Sequence, residues 1–264
     1  MEEPTADLIR SQLRRMRSAA GLSQEEFGRL LHYSASMVSA VETGARPLDR
    51  VFLARADEAL KTGDLLTTLL NMAKRESQPS WFQPWLEAER AARQLRYFNP
   101  SLIPGLLQTA NYARMVLRFD STRPHEEVER QVAARLERQE ILLRDRPPLV
   151  IAVIDETAIR RRDAIMAEQL AHLLHMAELP HVQLHVIPAD AGHHVGLSGP
   201  LALAHSAEGG WVGHLENQLD GLLIDGEDAM ATLLARWEGV RSVALPQTLS
   251  VALIKEVESQ HGPQ

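Results

Sequence analysis

Residues 21–44 restrict the fold of this chain more than any other stretch. Ser23 and Glu26 have the Ser-x-x-Glu spacing of a helix capping box, and Ser34 can cap a second short helix that follows two residues of turn. Gly28 lies at a position where two helices can cross closely only if the residue there has a minimal side chain. Two short helices joined by a turn of three or four residues are typical of a helix-turn-helix.

Further helices are predicted on both sides of this pair. Apolar residues recur at helical spacing before it, at Ile9, Leu13, Met16 and Ala20. Two helices are expected after it, from about Asp49 to Lys61 and from about Asp64 to Arg75. The first 75 residues therefore predict a bundle of five short helices.

The details of this stretch resemble the Cro/repressor family of helix-turn-helix domains over roughly residues 6–75. Gln24 opens the second helix, Val38 lies in the middle of the third, and Glu42-Thr43-Gly44 closes it, as in that family. His32 departs from the pattern, because the family usually has a left-handed glycine there. Histidine tolerates the left-handed region better than most residues, so we expect the turn to be kept with some strain.

The resemblance implies that the third helix enters the major groove of DNA, with its N-terminal residues at base edges. It assigns base contacts to the first turns of that helix and phosphate contacts to residues at its flanks. Because these positions hold Ser and Ala, we expect direct readout of the bases to be modest and DNA shape to share in the discrimination between sequences. The expected DNA-binding residues are Gln24, Ser34, Ala35, Ser36, Ser39, Thr43 and Arg46.

Charge leaves a second interpretation of this domain open. Residues 8–55 contain eight Arg against four acidic residues, but residues 22–45 contain Arg29 alone against Glu25, Glu26 and Glu42. A small helical bundle could serve as a packing or protein-binding module. The arginines of the first helix could be a solvated face or a phosphate clamp.

Charge also divides the chain in two. Residues 1–77 carry 11 basic and 11 acidic side chains, so residues 78–264 carry the whole net charge of −7. The polar junction of residues 76–80 contains Pro79, which stops helices. We therefore expect a DNA-binding domain at 1–77 and a second domain at 78–264. The absence of cysteine excludes disulfides, thiolate metal sites and cysteine nucleophiles.

The second half mixes helical and strand patterns. The apolar run at 149–154 predicts a buried strand, and further strands are expected at 182–187, 200–205, 211–215 and 222–224, with a short extended piece at 95–98. Helices are expected at 81–94, 108–118, 124–144, 164–178 and 227–240. The whole chain is thus predicted to be α+β, a five-helix bundle followed by a mixed α/β domain.

Polar residues of the second half offer little catalytic or metal chemistry. Asp155 and Glu156 follow a strand, where catalytic carboxylates often lie, but adjacent carboxylates also begin helices and we favour that interpretation. The histidines, including His172, His175 and the pair His193-His194, are spread over different elements. We expect no enzyme, no metal site and no cofactor.

Aromatic residues just after the domain junction have two interpretations. Trp81 and Trp85 are four residues apart and would share one helix face, with Phe82 beside them. They could be domain core, or they could form the wall of a pocket or partner groove together with the Pro-Gly turn that follows. In the second case the contact residues are Trp81, Phe82, Trp85, Leu106 and Gln108.

Longer stretches of this half resemble a family of actinobacterial, antitoxin-like transcriptional regulators of the WhiJ type. The resemblance rests on residues 81–90, 100–109 and 112–114, and it continues at 155–156, 169–173 and 186–188. It implies transcriptional control by a chain that joins a helix-turn-helix to a domain of unknown function. It also implies a small partner protein encoded by a neighbouring gene.

These observations predict a cytoplasmic, sequence-specific regulator that binds double-stranded DNA as a homodimer. Its second domain would sense a small partner protein or a ligand. The stretches of apolar residues are too short to span a bilayer, so no membrane association is expected. The alternative is an enzyme or metabolite-binding protein with a helical appendage.

Overall fold

In a computed structural model the chain folds into two compact units, Met1–Ser80 and Trp81–Gln264. The structure describes residues 4–76, 80–161, 163–217 and 219–260. The domain boundary expected after residue 77 falls outside the described residues. None of the helices in the described ranges is long and apolar enough to cross a membrane.

The described part of the N-terminal unit consists of five helices, as predicted. They are α1 (Pro4–Ala19), α2 (Gln24–Leu31), α3 (Ala35–Glu42), α4 (Arg50–Leu60) and α5 (Leu65–Glu76). One apolar cluster at their centre includes Ile9 and Leu13 of α1 and Phe27, Val38 and Phe52 of the next three helices. Since each helix supplies only one stripe to this cluster, the bundle needs all of them to bury its core.

The C-terminal unit contains seven helices and six strands among its described residues. The helices are α6 (Gln83–Ala91), α7 (Ala110–Leu117), α8 (His125–Gln139), α9 (Glu156–Ile159), α10 (Ala164–Met176), α11 (Glu227–Ser242) and α12 (Gln247–Ser259). The strands are β1 (Ala92–Asn99), β2 (Leu149–Asp155), β3 (Val182–Ile187), β4 (Leu201–Ser206), β5 (Trp211–Glu216) and β6 (Gly221–Ile224). The α+β prediction is confirmed.

The strands form one mixed sheet in the order β3-β2-β1-β4-β5-β6. β1, β2 and β3 are parallel, whereas β4, β5 and β6 are antiparallel to their neighbours. Each face of the sheet has its own apolar cluster. Leu95 and Tyr97 of β1 lie in one cluster, and Phe98 lies in the other with Leu233 and Trp237 of α11.

The helix predicted over 81–94 was wrong at its C-terminal end. Residues Ala92 to Gln94 belong to β1, a strand of eight residues that pairs with β2 on one side and β4 on the other. Arg93 and Gln94 are polar, so nothing local favours a strand there. The pairing of backbone groups within the sheet decides it, because a central strand satisfies two rows of hydrogen bonds.

Candidate DNA-binding surface

The turn between α2 and α3 is held by backbone geometry. His32 ends α2 in the left-handed conformation, with φ 59° and ψ 40°, as the sequence predicted. The amide of Tyr33 donates to the carbonyl of Gly28 at 2.8 Å. A Cβ on Gly28 would lie 2.7 Å from the carbonyl oxygen of Tyr33, so only glycine permits this close approach.

Serine caps begin both helices of the pair. The hydroxyl of Ser23 accepts from the amide of Glu26, and the Glu26 carboxylate accepts from the amide of Ser23 at 2.8 Å, which completes the predicted capping box. Hydrogen bonds from Ser23 hold the pKa of Glu26 below its usual value. Ser34 caps α3 by accepting from the amide of Met37 at 3.2 Å.

The residues expected to face DNA bases lie on one side of α3. Val38 and Val41 are buried on the opposite side, where they anchor the helix in the core. Ser36 is exposed, and Ala35 and Ser39 are half-buried. The hydroxyls of Ser34 and Ser36 lie 2.9 Å apart and share a hydrogen bond. The first turn of α3 therefore presents small hydroxyl and methyl groups and no charge.

Glu42, at the end of α3, connects three elements of the unit. Its side chain is only 1% exposed and accepts from Nε of Arg17 at 2.6 Å and from Nη2 of Arg17 at 3.0 Å. It also accepts from Nε2 of Gln24 at 2.9 Å. Because this amide is bonded to Glu42, α1, the start of α2 and the end of α3 are tied together. Sequence reasoning used Glu42 only as the close of a family motif and missed this role.

Thr43 and Arg46 follow α3. The hydroxyl of Thr43 donates to the carbonyl of Ser39 at 2.8 Å, so its donor is used within the protein. The backbone amide of Arg46 donates to Ala40 at 2.9 Å, while the Arg46 side chain is exposed and pairs with none of the described residues. Arg46 is thus an available cation beside α3.

The arginines of α1 mostly have structural partners. Arg10 pairs with Asp7 at 2.9 Å, and Nη2 of Arg14 donates to the carbonyl of Glu42 at 2.6 Å. Arg17 is held by the Glu42 carboxylate. Charged side chains with partners elsewhere contribute less to a phosphate clamp. Arg14 is 55% exposed, as a solvated face requires, whereas Arg10 and Arg17 are mostly buried.

Three of the five residues considered for partner contact are buried in the C-terminal unit. Trp85 is 2% exposed, Leu106 is 0% and Gln108 is 3%. The Gln108 side chain donates to the carbonyl of Ile103 at 2.7 Å and accepts from Nη1 of Arg135 at 2.6 Å. This arrangement favours the core interpretation for these three residues.

Trp81 and Phe82 are only partly buried, and both contact His214 of β5. The His214 ring stacks on Trp81 at 6.0 Å and on Trp85 at 5.3 Å, while Phe82 meets it edge-on at 5.4 Å. Burial, together with the positive charge of Arg138, lowers the pKa of His214 to about 4. His214 is therefore a neutral aromatic member of this cluster near neutral pH.

The two carboxylates after β2 have structural partners. Asp155 caps α9, since its Oδ1 accepts from the amide of Thr157 at 2.9 Å, which confirms the predicted helix start. Glu156 accepts from the amide of Ala189 at 2.7 Å and pairs with Arg160. No group of three or more histidine and acidic side chains that could hold a metal ion occurs among the described residues.

Comparison with known protein families assigns both units. A helix-turn-helix domain family matches residues 9–70, which include the whole arrangement of α2, the turn and α3. The domain of unknown function DUF5753 matches residues 82–256. The chain belongs to the DUF5753 family. No curated protein and no solved structure matches it. The architecture is that of a DNA-binding regulator with an N-terminal helix-turn-helix.

Proposed function

We propose that this protein is a dimeric, sequence-specific transcriptional regulator whose C-terminal unit senses a small partner protein or a ligand. The observation that carries the proposal is α3, which is capped at its N-terminus, anchored on one side and lined on the other by Ser36, Ser39 and Ala35. A helix in this setting enters the major groove with its first turns at the bases. Ser can bond to several bases and an alanine methyl can contact thymine.

The DNA contacts fall into two groups. Ala35, Ser36 and Ser39 read bases, whereas Arg46 contacts a phosphate. Gln24 lies at the N-terminus of α2, and its amide oxygen remains available for a DNA group while its nitrogen donates to Glu42. Base contacts specify the site and phosphate contacts position the protein on it.

Dimerisation follows from the small number of cations. A single unit of this kind neutralises few phosphates, so its affinity as a monomer would be low. Two copies double the contacts and place half-sites about one helical turn apart, roughly 34 Å. The net charge of −7 on residues 78–264 disfavours DNA contact by the C-terminal unit and suits it to another partner.

The resemblance to WhiJ-type, antitoxin-like regulators supports a small protein from a neighbouring gene as that partner. Of the surface considered for it, Trp81 and Phe82 are the members with exposed area. The proposed partner would contact these two side chains. Trp85, Leu106 and Gln108 are buried and would not themselves touch the partner.

Footprinting of the full chain on DNA selected from a random pool tests the function. We expect protection of two symmetric half-sites and a dimer in solution by light scattering. One asymmetric half-site bound at full affinity would contradict the dimer, and no selected sequence at all would contradict specific DNA binding.

A charge variant tests the placement of α3. Arg46→Ala should weaken binding to all sequences and reduce the slope of log affinity against log salt by about 1, because one phosphate contact is lost. Lys255→Ala in α12 removes a cation from the C-terminal unit and should leave the slope unchanged. Equal slopes for Arg46→Ala and the unmodified protein would remove Arg46 from the DNA surface.

A further inference from the structure

A cavity of about 150 Å³ lies at one end of the sheet in the C-terminal unit. Phe98, the last residue but one of β1, and Leu201, the first of β4, lie on its sheet side, and α11 supplies Leu233 and Val240. These four side chains are at most 6% exposed and form the apolar side of the cavity. A cavity of about this volume accommodates one six-membered ring such as benzene.

The turn of residues 195–199 forms one wall of the cavity, and hydrogen bonds within the turn hold its shape. Gly199 has φ +135°, a conformation that favours glycine, and its amide donates to the carbonyl of Gly196 at 3.1 Å. The hydroxyl of Ser198 donates to the carbonyl of Val195 at 2.8 Å. The Gly199 amide and the Ser198 hydroxyl therefore have partners within the turn, and Val195 lines the cavity.

Gly196 fixes this turn against the sheet. A Cβ at this position would lie 2.5 Å from the ring of Phe98 and 3.0 Å from Nδ1 of His194. His194 is itself held, since its side chain is 4% exposed and its Nε2 lies 3.7 Å from Oδ2 of Asp155. A wall anchored in this way keeps the cavity open, which lowers the cost of ordering it around a ligand.

Two charged residues, Glu216 and Arg236, also line the cavity. The Glu216 side chain reaches solvent, yet the surrounding protein raises its pKa, and the positive charges of Arg135 and Arg138 oppose that rise. These two guanidinium groups offset only part of the effect of burial, so the charged form of Glu216 remains disfavoured. Arg236 is exposed and forms no hydrogen bond or ion pair with the residues that the structure describes. It is the one cationic side chain among the residues that line the cavity.

We infer that this cavity binds a compact apolar monocarboxylate, with its ring or short chain inside and its carboxylate paired with Arg236. Guanidinium and carboxylate match in shape and form two parallel hydrogen bonds. The cavity volume suits a body of about six carbon atoms and is too small to enclose a long fatty acid or a nucleotide. The inference extends the proposed function, in which this unit receives the signal, by naming a class of ligand and its site.

Calorimetric titration of the full chain with benzoate tests the inference, and because it needs no DNA, its outcome is separate from that of the footprinting. Benzyl alcohol and benzylamine have the same ring with a neutral and a positive head group. We expect benzoate to bind about tenfold or more tightly than benzyl alcohol, the factor that one charge-assisted pair supplies. Benzylamine should bind most weakly.

Two variants locate the site. Arg236→Gln should reduce benzoate affinity about tenfold and leave benzyl alcohol unchanged, whereas the matched control Arg241→Gln, also in α11 but outside the cavity, should change neither. Val240→Phe fills the cavity and should weaken both probes. If Val240→Phe does not fold, as judged by circular dichroism, the exposed Arg236 variant still decides the question.

Three results would overturn the inference. The first is no heat of binding for benzoate up to about 10 mM, since an affinity weaker than that is worth less than 3 kcal/mol, roughly. The second is tighter binding of benzylamine than of benzoate, which would assign the head group to Glu216. The third is an unchanged benzoate affinity in Arg236→Gln.

Discussion

Arg17 of α1 and Glu42 of α3 form a two-pronged ion pair inside the N-terminal unit, with donor–acceptor distances of 2.6 Å and 3.0 Å. The side chains are 11% and 1% exposed, so the pair is removed from water. Gln24 donates to the same carboxylate. A contact between residues 25 positions apart thus fixes both helices of the helix-turn-helix against α1, and it sets the angle at which α3 is presented.

Glu42→Gln should destabilise the N-terminal unit by about 3 kcal/mol, because it leaves the guanidinium of Arg17 buried without a counter-charge. All four tryptophans lie in the C-terminal unit, at positions 81, 85, 211 and 237. Urea unfolding followed by far-ultraviolet circular dichroism should therefore show an early helical transition that tryptophan fluorescence does not. Glu25→Gln, an exposed change at the residue directly after Gln24, is the control and should shift nothing. Coincident transitions at the unmodified midpoint would contradict the prediction.

His32→Gly should stabilise the same unit by up to about 1 kcal/mol, because a side chain in the left-handed region costs energy that glycine does not. The observed φ of 59° at His32 is the basis of this expectation. The measurement is the midpoint of the helical transition in urea. Gly28→Ala should have the opposite effect and lower that midpoint, because its Cβ would clash with the carbonyl of Tyr33. A lower midpoint for His32→Gly would show that the histidine side chain has a stabilising contact.

Replacement of Ser36 and Ser39 together by alanine should reduce specific DNA affinity by about 1 kcal/mol for each serine, roughly 30-fold in all. Binding to random DNA should change little, because base contacts carry the specificity. Fluorescence anisotropy with the selected site and with random DNA measures both quantities. Ser18→Ala, on the exposed end of α1, is the matched control. An unchanged ratio of specific to random affinity would place another face of α3 against the bases.

The C-terminal unit should lose stability below neutral pH because of His214. The pKa of His214 is about 4 in the folded protein and 6.5 without its environment, so the unfolded chain binds more protons between these values. Its contribution is complete above about pH 6.5 and falls by about 2 kcal/mol on going from pH 7.5 to 5. Burial also lowers the pKa values of His172 and His185, which adds to the slope in the same sense.

Urea midpoints followed by tryptophan fluorescence at the two pH values measure this loss. His214→Gln should remove the share of this stability loss that comes from His214, so the urea midpoint should depend less on pH. His175→Gln changes a histidine whose side chain is 68% exposed and should leave the dependence as it is. An equally steep dependence in both variants would contradict the assignment to His214.

Trp85→Ala should destabilise the C-terminal unit by about 3 to 5 kcal/mol, since it leaves a cavity beside the rings of Tyr97 and His214. Trp81→Ala removes a ring that is partly exposed, and its cost should be smaller. Thermal unfolding measured by circular dichroism compares the two. If Trp81→Ala stays folded and binds DNA as the unmodified protein does but no longer binds the proposed partner protein, the proposed partner surface is supported. Unchanged binding of that partner would remove Trp81 from that surface.

Local rules in the sequence determined much of the helix-turn-helix. Caps at Ser23 and Ser34, a minimal side chain at Gly28 and apolar residues at helical spacing each act within a few residues, so their consequences can be read without the fold. The apolar run of β2 was equally clear because a strand buried on both faces needs no polar alternation. The prediction of a regulator architecture with an N-terminal helix-turn-helix rested on these local features and on family resemblance.

The tertiary structure decided what depends on distant partners. Ala92 to Gln94 became strand through pairing with β2 and β4. Trp85 is buried in the core and Trp81 is partly exposed, although the sequence predicted that both would lie on the same face of one helix. Arg17 and Arg236 are chemically identical, yet one is paired inside the protein, and the other lines a cavity and pairs with no residue in the described ranges. Which partners a charged or aromatic side chain meets is set by elements far along the chain, and no local pattern encodes that encounter.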